Sequence, residues 1–328
     1  MDSTGTMKRV VTRPEAGPFI LLVAMIVVFY SVNSAYLSVR NISNLLTFMV
    51  ELGLIALTMT LLMTSGEFDL SVGAVFGFCP VMMWTLYNQD VMSLELSFVV
   101  ALTAAAAAGL LNGLLVTKLW IPSFLVTLGS MLVVRGTALY ITDGFPQRTW
   151  TAAEHWLTEV LVGDFHVRQL RLHMSLLWFV LALVVFGYVL TQTKVGNWIQ
   201  ASGGNANAAR ARGVNVARTK IVLFILSAIM AGFAGIISSV RTSAANPNSG
   251  MGYELEVIAM VVIGGTALRG GRGTIVGTLI GVLILRLMRN GIVLIGVPGL
   301  AYNIFIGTII LGMMALHSGL DRRSREGG

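Results

Sequence analysis

Residues 42–64 read ISNLLTFMVELGLIALTMTLLMT, and this stretch decides the class of fold. It carries a single charged side chain, Glu51. As a helix it is long enough to cross the roughly 30 Å hydrocarbon layer of a membrane. An apolar run of this length is typical of a transmembrane helix. The stretch therefore predicts a membrane-spanning helix with one acidic residue near its middle.

The same apolar character extends over most of the chain. Of its 328 residues, 55% are apolar and 11% are charged, whereas soluble domains carry about 25% charged residues. We therefore expect an all-α polytopic membrane protein, and this composition disfavours a soluble enzyme, a disordered chain and a nucleic-acid-binding domain. Apolar runs and their interruptions predict ten spans, at about 18–37, 42–64, 69–87, 94–117, 121–142, 174–191, 219–240, 255–268, 274–296 and 298–317.

The placement of positive charge predicts the orientation of these spans. Fourteen of the 22 lysines and arginines fall on the side of the N-terminus. Because cytoplasmic loops carry the excess of Lys and Arg, both termini are predicted to be cytoplasmic. Five basic residues fall on the opposite side: Arg40, Arg148, Arg168, Arg171 and Arg241. The chain then forms one transmembrane domain over 1–328, with a cytoplasmic tail (1–17), an outer segment (143–173), an inner segment (192–218) and a second cytoplasmic tail (318–328).

The chemistry of several enzyme classes is missing from the chain. A phosphate-binding P-loop needs a glycine directly before its lysine, but the four lysines follow Met7, Thr117, Thr193 and Thr219. The four histidines are scattered without the spacing of a zinc site. The single cysteine, Cys79, lies in an apolar run and suits a small buried side chain. We predict no catalytic, cofactor-binding or metal-ligating residue, so any energy from ATP must come from another chain.

The inner segment contains a short predicted helix. Asn205 is a good N-cap, the residues from Ala206 to Arg212 are rich in Ala and Arg, and Gly213 suits the left-handed position after a helix end. A helix of about two turns is unstable alone in water and needs a surface to pack against. It is either a solvated loop with incidental helicity or a docking helix for a cytoplasmic partner. The residues assigned to docking are Gly204, Asn205, Ala208, Ala209, Arg210, Arg212 and Gly213.

Two glycine-containing clusters lie between predicted spans. In residues 65–73, Glu67 and Asp69 could ligate a cation or accept a hydrogen bond from a substrate hydroxyl, but Asp69 or Ser71 could equally cap the next helix. Residues 261–274 hold five glycines around Arg269 and Arg272. They resemble an anion-binding nest, or they simply let two backbones approach closely.

Polar residues inside apolar spans are candidates for function, because lipid burial of such groups costs several kcal/mol. We expect several to form structural pairs, for example Glu51 with an arginine. The arginines that fall within predicted spans are Arg135, Arg286 and Arg289. With the loop residues above, the structural or pathway candidates are Glu51, Glu67, Asp69, Asn112, Arg135, Asn290 and Asn303.

Several collinear motifs resemble one family, the permease subunits of bacterial ABC importers for ribose, xylose and related monosaccharides. The resemblance covers about residues 42–312, with Glu67-Phe68 standing where that family usually has Gly-Ile. The motifs are GEFDLSVG (66–73), LNGLLV (111–116), IPSFLVTLG (121–129), GGNANAAR (203–210), GYEL (252–255) and IGGTALRGGRG (263–273).

This resemblance implies a type II-like importer fold in a bacterial inner membrane. It implies that the segment from Gly204 to Gly213 is a coupling helix that docks on a cytoplasmic ABC ATPase dimer, which uses ATP and Mg. A periplasmic sugar-binding protein, a second permease protomer and membrane lipid are the other implied partners, and nucleic acid is not one. Two alternatives remain: an ABC importer permease for a nucleoside or sugar-derived signalling molecule, and a secondary transporter or channel.

Overall fold

The computed structural model describes residues 16–152, 154–298, 301–302, 304–305, 307–308 and 311–312. Within these residues the chain is mainly helical, as its apolar pattern predicts. The helices are α1 (Ala16–Val32), α2 (Val39–Thr64), α3 (Val72–Asn88), α4 (Leu94–Lys118), α5 (Ser123–Thr142), α6 (Trp156–Val162), α7 (Met174–Gln192), α8 (Lys194–Gly204), α9 (Ala206–Ala211), α10 (Val216–Thr242), α11 (Tyr253–Ile263) and α12 (Ile275–Leu294). The short strands are β1 (Gln147–Arg148), β2 (Asp164–Val167), β3 (Leu170–His173) and β4 (Ala244–Ala245).

Six of these helices are long and apolar enough to cross a membrane: α2, α4, α5, α7, α10 and α12. Helices α1 and α3 are also apolar but have 17 residues each. The prediction of a helical protein with several membrane spans is therefore confirmed for the part of the chain that the structure describes.

The predicted eighth span, 255–268, is wrong in length. Helix α11 has 11 residues, which make about 16 Å of helix and fall short of the roughly 30 Å membrane core. The helix ends because Gly264 and Gly265 turn the chain, the latter at a φ of 92°. Most of the predicted tenth span and most of both tails lie outside the described residues. The total of ten spans and the side of the termini stay predictions.

Helix α2 forms the centre of the protein. Every residue from 49 to 65 is buried, and α7, α8, α10, α11 and α12 all pack against this helix. A helix that is apolar on all sides is stable when other helices or lipid surround it. The stretch that decided the class of fold is thus also the core of the structure.

Helix α10 packs closely on α3 and α4 through glycines. A Cβ added at Gly109 of α4 would lie 2.5 Å from the carbonyl oxygen of Phe224, and one added at Gly235 would lie 2.0 Å from that of Phe76. Only a residue without a side chain allows the backbones to approach so closely. The backbone of α10 is therefore in direct contact with the backbones of α3 and α4.

The segment 143–173 is not purely helical, which corrects the all-α prediction locally. Strands β2 and β3 form an antiparallel hairpin, and β1 pairs with β4, about one hundred residues further along the chain. In the hairpin, Arg171 donates hydrogen bonds to Asp164 and holds the pKa of that carboxyl below its usual range. Strands of two to four residues carry too little alternation to be recognised from sequence.

The inner segment holds two helices where one was predicted. Helix α9 lies within the predicted 206–212, and α8 directly precedes it. Helix α8 escapes prediction because glycines and Asn197 interrupt its apolar pattern. It is stabilised by burial of Gly196, Ile199 and Ser202 against the rest of the chain.

Candidate functional site

A polar cavity of about 440 Å³ lies between α2, α3, α10, α11 and α12. Its walls combine charged, amide, hydroxyl and aromatic side chains in a region otherwise made of apolar helices. The lining residues are Leu45, Phe48, Glu51, Phe76, Ser238, Arg241, Thr242, Ser249, Gly250, Tyr253, Arg286, Arg289, Asn290 and Val293.

An ion pair between two helices forms one wall of the cavity. Arg241 of α10 donates to Glu51 Oε1 of α2 from Nη2 at 2.7 Å and from Nε at 2.9 Å. The guanidinium also lies 4.4 Å from the ring centroid of Phe48. The expected pairing of Glu51 with an arginine is confirmed. Its partner, Arg241, had been assigned to an outer loop by the charge count. Arg241 lies at the end of α10, and its side chain turns into the protein towards Glu51.

Helix α12 forms another part of the wall. Arg286 lies 3.8 Å from Glu256 Oε1 of α11, and both side chains are buried. Arg289 is exposed and stacks 5.1 Å from the ring centroid of Tyr302. Within the part of the chain that the structure describes, Arg289 has no carboxylate partner.

The predicted candidate Asn290 also lies in this wall. Its side-chain amide exchanges two hydrogen bonds with Asn41 of α2, at 2.8 and 2.9 Å. A reciprocal amide pair satisfies a donor and an acceptor of each side chain. Asn290 therefore fastens α12 to α2 beside the cavity.

Arg135, another predicted candidate, lies next to the cavity without lining it. It donates to the carbonyl oxygens of Pro247 and Ser249, each at 2.7 Å, and to that of Gly73 at 2.9 Å. It thus ties α5 to the segment 246–252 and to the first turn of α3. Because Ser249 lines the cavity, Arg135 positions part of its wall.

Asp69 and Asn112 belong to a separate buried chain of hydrogen bonds. Asp69 Oδ1 accepts bonds from the backbone N–H of Ser71 at 2.8 Å and from its hydroxyl, and Asn112 donates to Ser71 Oγ at 3.1 Å. Neither the Asp69 carboxylate nor the Asn112 amide lines the cavity. The predicted cap is not confirmed, because Ser71, the N-cap residue of α3, makes no side-chain cap bond. Asp69 instead closes the turn directly before the helix.

The two glycine-containing loops and the end of α8 meet in one contact region, the glycine junction, formed by Gly66, Gly203, Gly204, Gly270 and Gly271. A Cβ added at Gly270 would lie 2.8 Å from Gly66 Cα and 3.0 Å from Gly203 Cα. The backbone N–H of Gly271 donates to the Thr64 carbonyl oxygen at 2.8 Å. The glycines of 261–274 therefore serve close backbone approach, the second of the two sequence interpretations.

Glu67 lies beside this junction and pairs with Lys220 of α10. The two side chains are each 15% exposed, and Lys220 Nζ lies 2.5 Å from Glu67 Oε1. Glu67 therefore has a basic partner and is placed away from the cavity.

The predicted docking helix has the local structure that its sequence indicated. The Asn205 side chain accepts hydrogen bonds from the N–H groups of Asn207 and Ala208, and Gly213 has a φ of 84°. Ala208 is exposed, but Ala209 is only 3% exposed. The assignment of Ala209 to a partner surface is wrong, because this side chain packs inside its own chain.

The exposed part of the helix carries basic groups beside an aromatic residue. Arg210 and Arg212 are exposed. The Arg210 guanidinium lies 5.3 Å from the ring centroid of Trp120, which is itself 74% exposed. Sequence analysis missed Trp120 because it lies in a short loop about ninety residues away.

The remaining predicted candidate, Asn303, lies outside the described residues. Tyr253, Phe48 and Arg241 were missed as cavity residues, since only the packing of α2, α10 and α11 brings them together. Among the residues that the structure describes, no group of three His, Cys, Asp or Glu side chains could hold a metal ion.

The chain is similar to known transport proteins over most of its length. Residues 41–314 match the family described as branched-chain amino acid transport system / permease component. The ribose import permease proteins of Bacillus subtilis and Escherichia coli K12 are 37% and 34% identical to it, over 90% of this chain and 90% and 91% of theirs. The xylose/arabinose import permease protein of Sulfolobus acidocaldarius is 33% identical over 94% of this chain and 85% of its own length. No solved structure matches the chain.

Proposed function

Because the chain belongs to the family of branched-chain amino acid transport system permease components, and is thus a membrane-spanning transport subunit, we propose that it forms the import pathway for a monosaccharide. A periplasmic binding protein delivers the sugar, and a separate cytoplasmic ABC ATPase dimer supplies energy from ATP and Mg. A second permease protomer completes the pathway in the bacterial inner membrane. The names of the relatives, which are ribose and xylose/arabinose import permeases, support this substrate class.

The observation that carries the proposal is the polar cavity. Its volume of about 440 Å³ lies within the range of about 300–1,000 Å³ that is usual for small-molecule sites. Amide and guanidinium groups supply hydrogen bonds for hydroxyls, and Phe48, Phe76 and Tyr253 offer apolar faces for the C–H surfaces of a sugar ring. Such a lining gives a polar solute a route among apolar helices.

The proposed energy coupling uses the exposed face of α9. Ala208 and Arg210 lie on a short capped helix that is held against the protein by buried Ala209, and exposed Arg212 is its C-cap residue. Closure of the ATPase dimer on ATP would displace this helix and switch the cavity between outward and inward access. The two basic side chains suit acidic groups on the ATPase.

We also propose ten crossings of the membrane with both termini in the cytoplasm, the eighth made by the short helix α11 together with the non-helical residues that flank it. The Arg241 side chain points into the protein, where it pairs with Glu51, and this supports the orientation. Without Arg241 the outer segments carry four basic residues instead of five, against fourteen on the inner side. A larger excess of positive charge on one side favours that side as cytoplasmic.

Two other functions make different demands on the cavity. A secondary transporter needs an ion site, commonly with carboxylates at broken helices, but among the described lining residues Glu51 is the one carboxylate and Arg241 neutralises it. An importer for a nucleoside or sugar-derived signalling molecule has the same architecture, and only solute binding separates it from a sugar importer.

Reconstitution tests the proposal directly. The chain is placed in vesicles with its cognate ATPase and binding protein, and uptake of labelled ribose, xylose, arabinose and a nucleoside is followed with and without ATP. We expect ATP-dependent uptake of a sugar, none with a catalytically inactive ATPase, and no ATP hydrolysis by the purified chain alone. Uptake driven by an ion gradient without ATP, or ATP turnover by the isolated chain, would contradict the proposal; uptake of the nucleoside alone would overturn the substrate class.

A further inference from the structure

Helix α10 connects the predicted docking helix with the cavity. It begins at Val216, five residues after α9 ends, and its N-cap Asn215 accepts a hydrogen bond from the N–H of Arg218. Its 27 residues make about 40 Å of continuous helix. At its far end Arg241 pairs with Glu51 in the cavity wall. A single rigid element thus joins the two places that an energy-driven transporter must link.

The near end of α10 is fastened to a different element, the loop between α2 and α3. The fastening is the ion pair between Lys220 and Glu67, whose side chains are each 15% exposed. The backbone N–H of Glu67 donates to the Leu62 carbonyl oxygen, so this loop is bound to the end of α2. Separating a mostly buried ion pair leaves two poorly solvated charges, and the two elements therefore move together.

The glycine junction binds the same loop to α8. A Cβ added at Gly203 would lie 2.0 Å from the Thr64 carbonyl oxygen and 2.6 Å from the Gly271 nitrogen. At this distance a shift of the end of α8 must displace the end of α2 and the loop 264–274. Both α8, which precedes the docking helix, and α10, which follows it, are thus attached to the α2–α3 loop.

We propose that the Lys220–Glu67 ion pair is a positioning contact for energy coupling, which keeps α10 in register with the α2–α3 loop so that displacement of α9 reaches the Arg241–Glu51 pair in the cavity. The inference rests on the proposed function. When the pair is broken, the near end of α10 shifts independently of α2, and ATP hydrolysis no longer changes access to the cavity. Neither side chain lines the cavity and neither residue belongs to α9, so their effect is on coupling and not on solute contact.

The test compares transport per ATP hydrolysed in the reconstituted complex of permease, ATPase and binding protein. The variants are Glu67→Gln, Lys220→Gln and the charge exchange Glu67→Lys with Lys220→Glu. Lys118→Gln is the control, because it removes an exposed lysine at the end of α4. We expect each single variant to assemble and to hydrolyse ATP in response to loaded binding protein, with uptake per ATP lowered about fivefold or more. The charge exchange should restore most of the ratio, and the control should leave it unchanged.

Normal uptake per ATP in both single variants would overturn the inference. The inference would also be overturned if uptake and ATP hydrolysis fell in parallel and the charge exchange did not restore them. That result would indicate that the ion pair has a purely structural role. If a single variant fails to assemble, Lys220→Arg and Glu67→Asp replace it, because they keep both charges and change only the geometry of the ion pair. Normal uptake per ATP in these two variants, together with no recovery in the charge exchange, would also overturn the inference. A wild-type complex without ATP-driven uptake would instead refute the proposed function itself.

Discussion

Two adjacent glycines at the end of α8 should respond oppositely to the same substitution. In Gly203→Ala the new Cβ would lie 2.0 Å from the Thr64 carbonyl oxygen, 2.6 Å from the Gly271 nitrogen and 2.9 Å from the Ser65 carbonyl carbon. All three are backbone atoms, which cannot rotate away, so we expect overpacking to cost about 1–3 kcal/mol or more. In Gly204→Ala the nearest atom, Gly271 Cα, is 3.8 Å away, which is ordinary contact. Replacing glycine by alanine in a helix stabilises it by up to about 1 kcal/mol.

The measurement is the midpoint of thermal unfolding of each purified variant in the same detergent, followed by uptake in reconstituted vesicles. We expect Gly203→Ala to unfold at a lower temperature than the wild type and to transport poorly. Gly204→Ala should unfold at the same or a higher temperature, which controls for the general effect of a methyl group at the helix end. Equal midpoints for the two variants, or a lower one for Gly204→Ala, would refute the glycine junction as described.

Three further predictions concern the docking helix and the cavity. Ala208→Leu should leave thermal stability unchanged but weaken co-purification with the ATPase, whereas Ala209→Leu should lower stability because its side chain is buried; identical behaviour of the two would contradict the orientation of α9. Asn205→Ala should cost about 0.5–2 kcal/mol of helix stability and reduce uptake, and Asn205→Asp, which keeps the cap, should behave like the wild type; equal loss in both would exclude capping as the cause. Glu51→Gln should lower the free energy of unfolding by about 3–5 kcal/mol, since it leaves the Arg241 charge without its partner. Adding Arg241→Gln should recover part of that loss, and no recovery in unfolding experiments would argue against a direct ion pair.

Signals confined to neighbouring residues gave accurate expectations. The run 42–64 predicts a membrane-spanning helix because in a membrane only a helix satisfies all backbone hydrogen bonds within one segment. Asn205 and Gly213 predict the ends of α9 because a cap and a left-handed residue act within one helical turn. The motifs of the family likewise lie in short continuous stretches, so the resemblance to sugar importer permeases was available from the chain alone.

Contacts between distant segments could not be assigned in this way. The sequence required a partner for Glu51, but only the packing of α10 on α2 selected Arg241. The orientation of Ala209 depends on elements that are remote in sequence, as does the close approach of Gly203 to Gly271. The presence of a glycine in a sequence does not indicate which residue packs against it. Helix α11 stops short of a full span because Gly265 turns the chain, although its composition matches that of the longer helices. Local hydrogen bonding and hydropathy depend on residues that are neighbours in sequence, so the sequence alone determines them. The cavity and the glycine junction form only when residues from separate helices pack together.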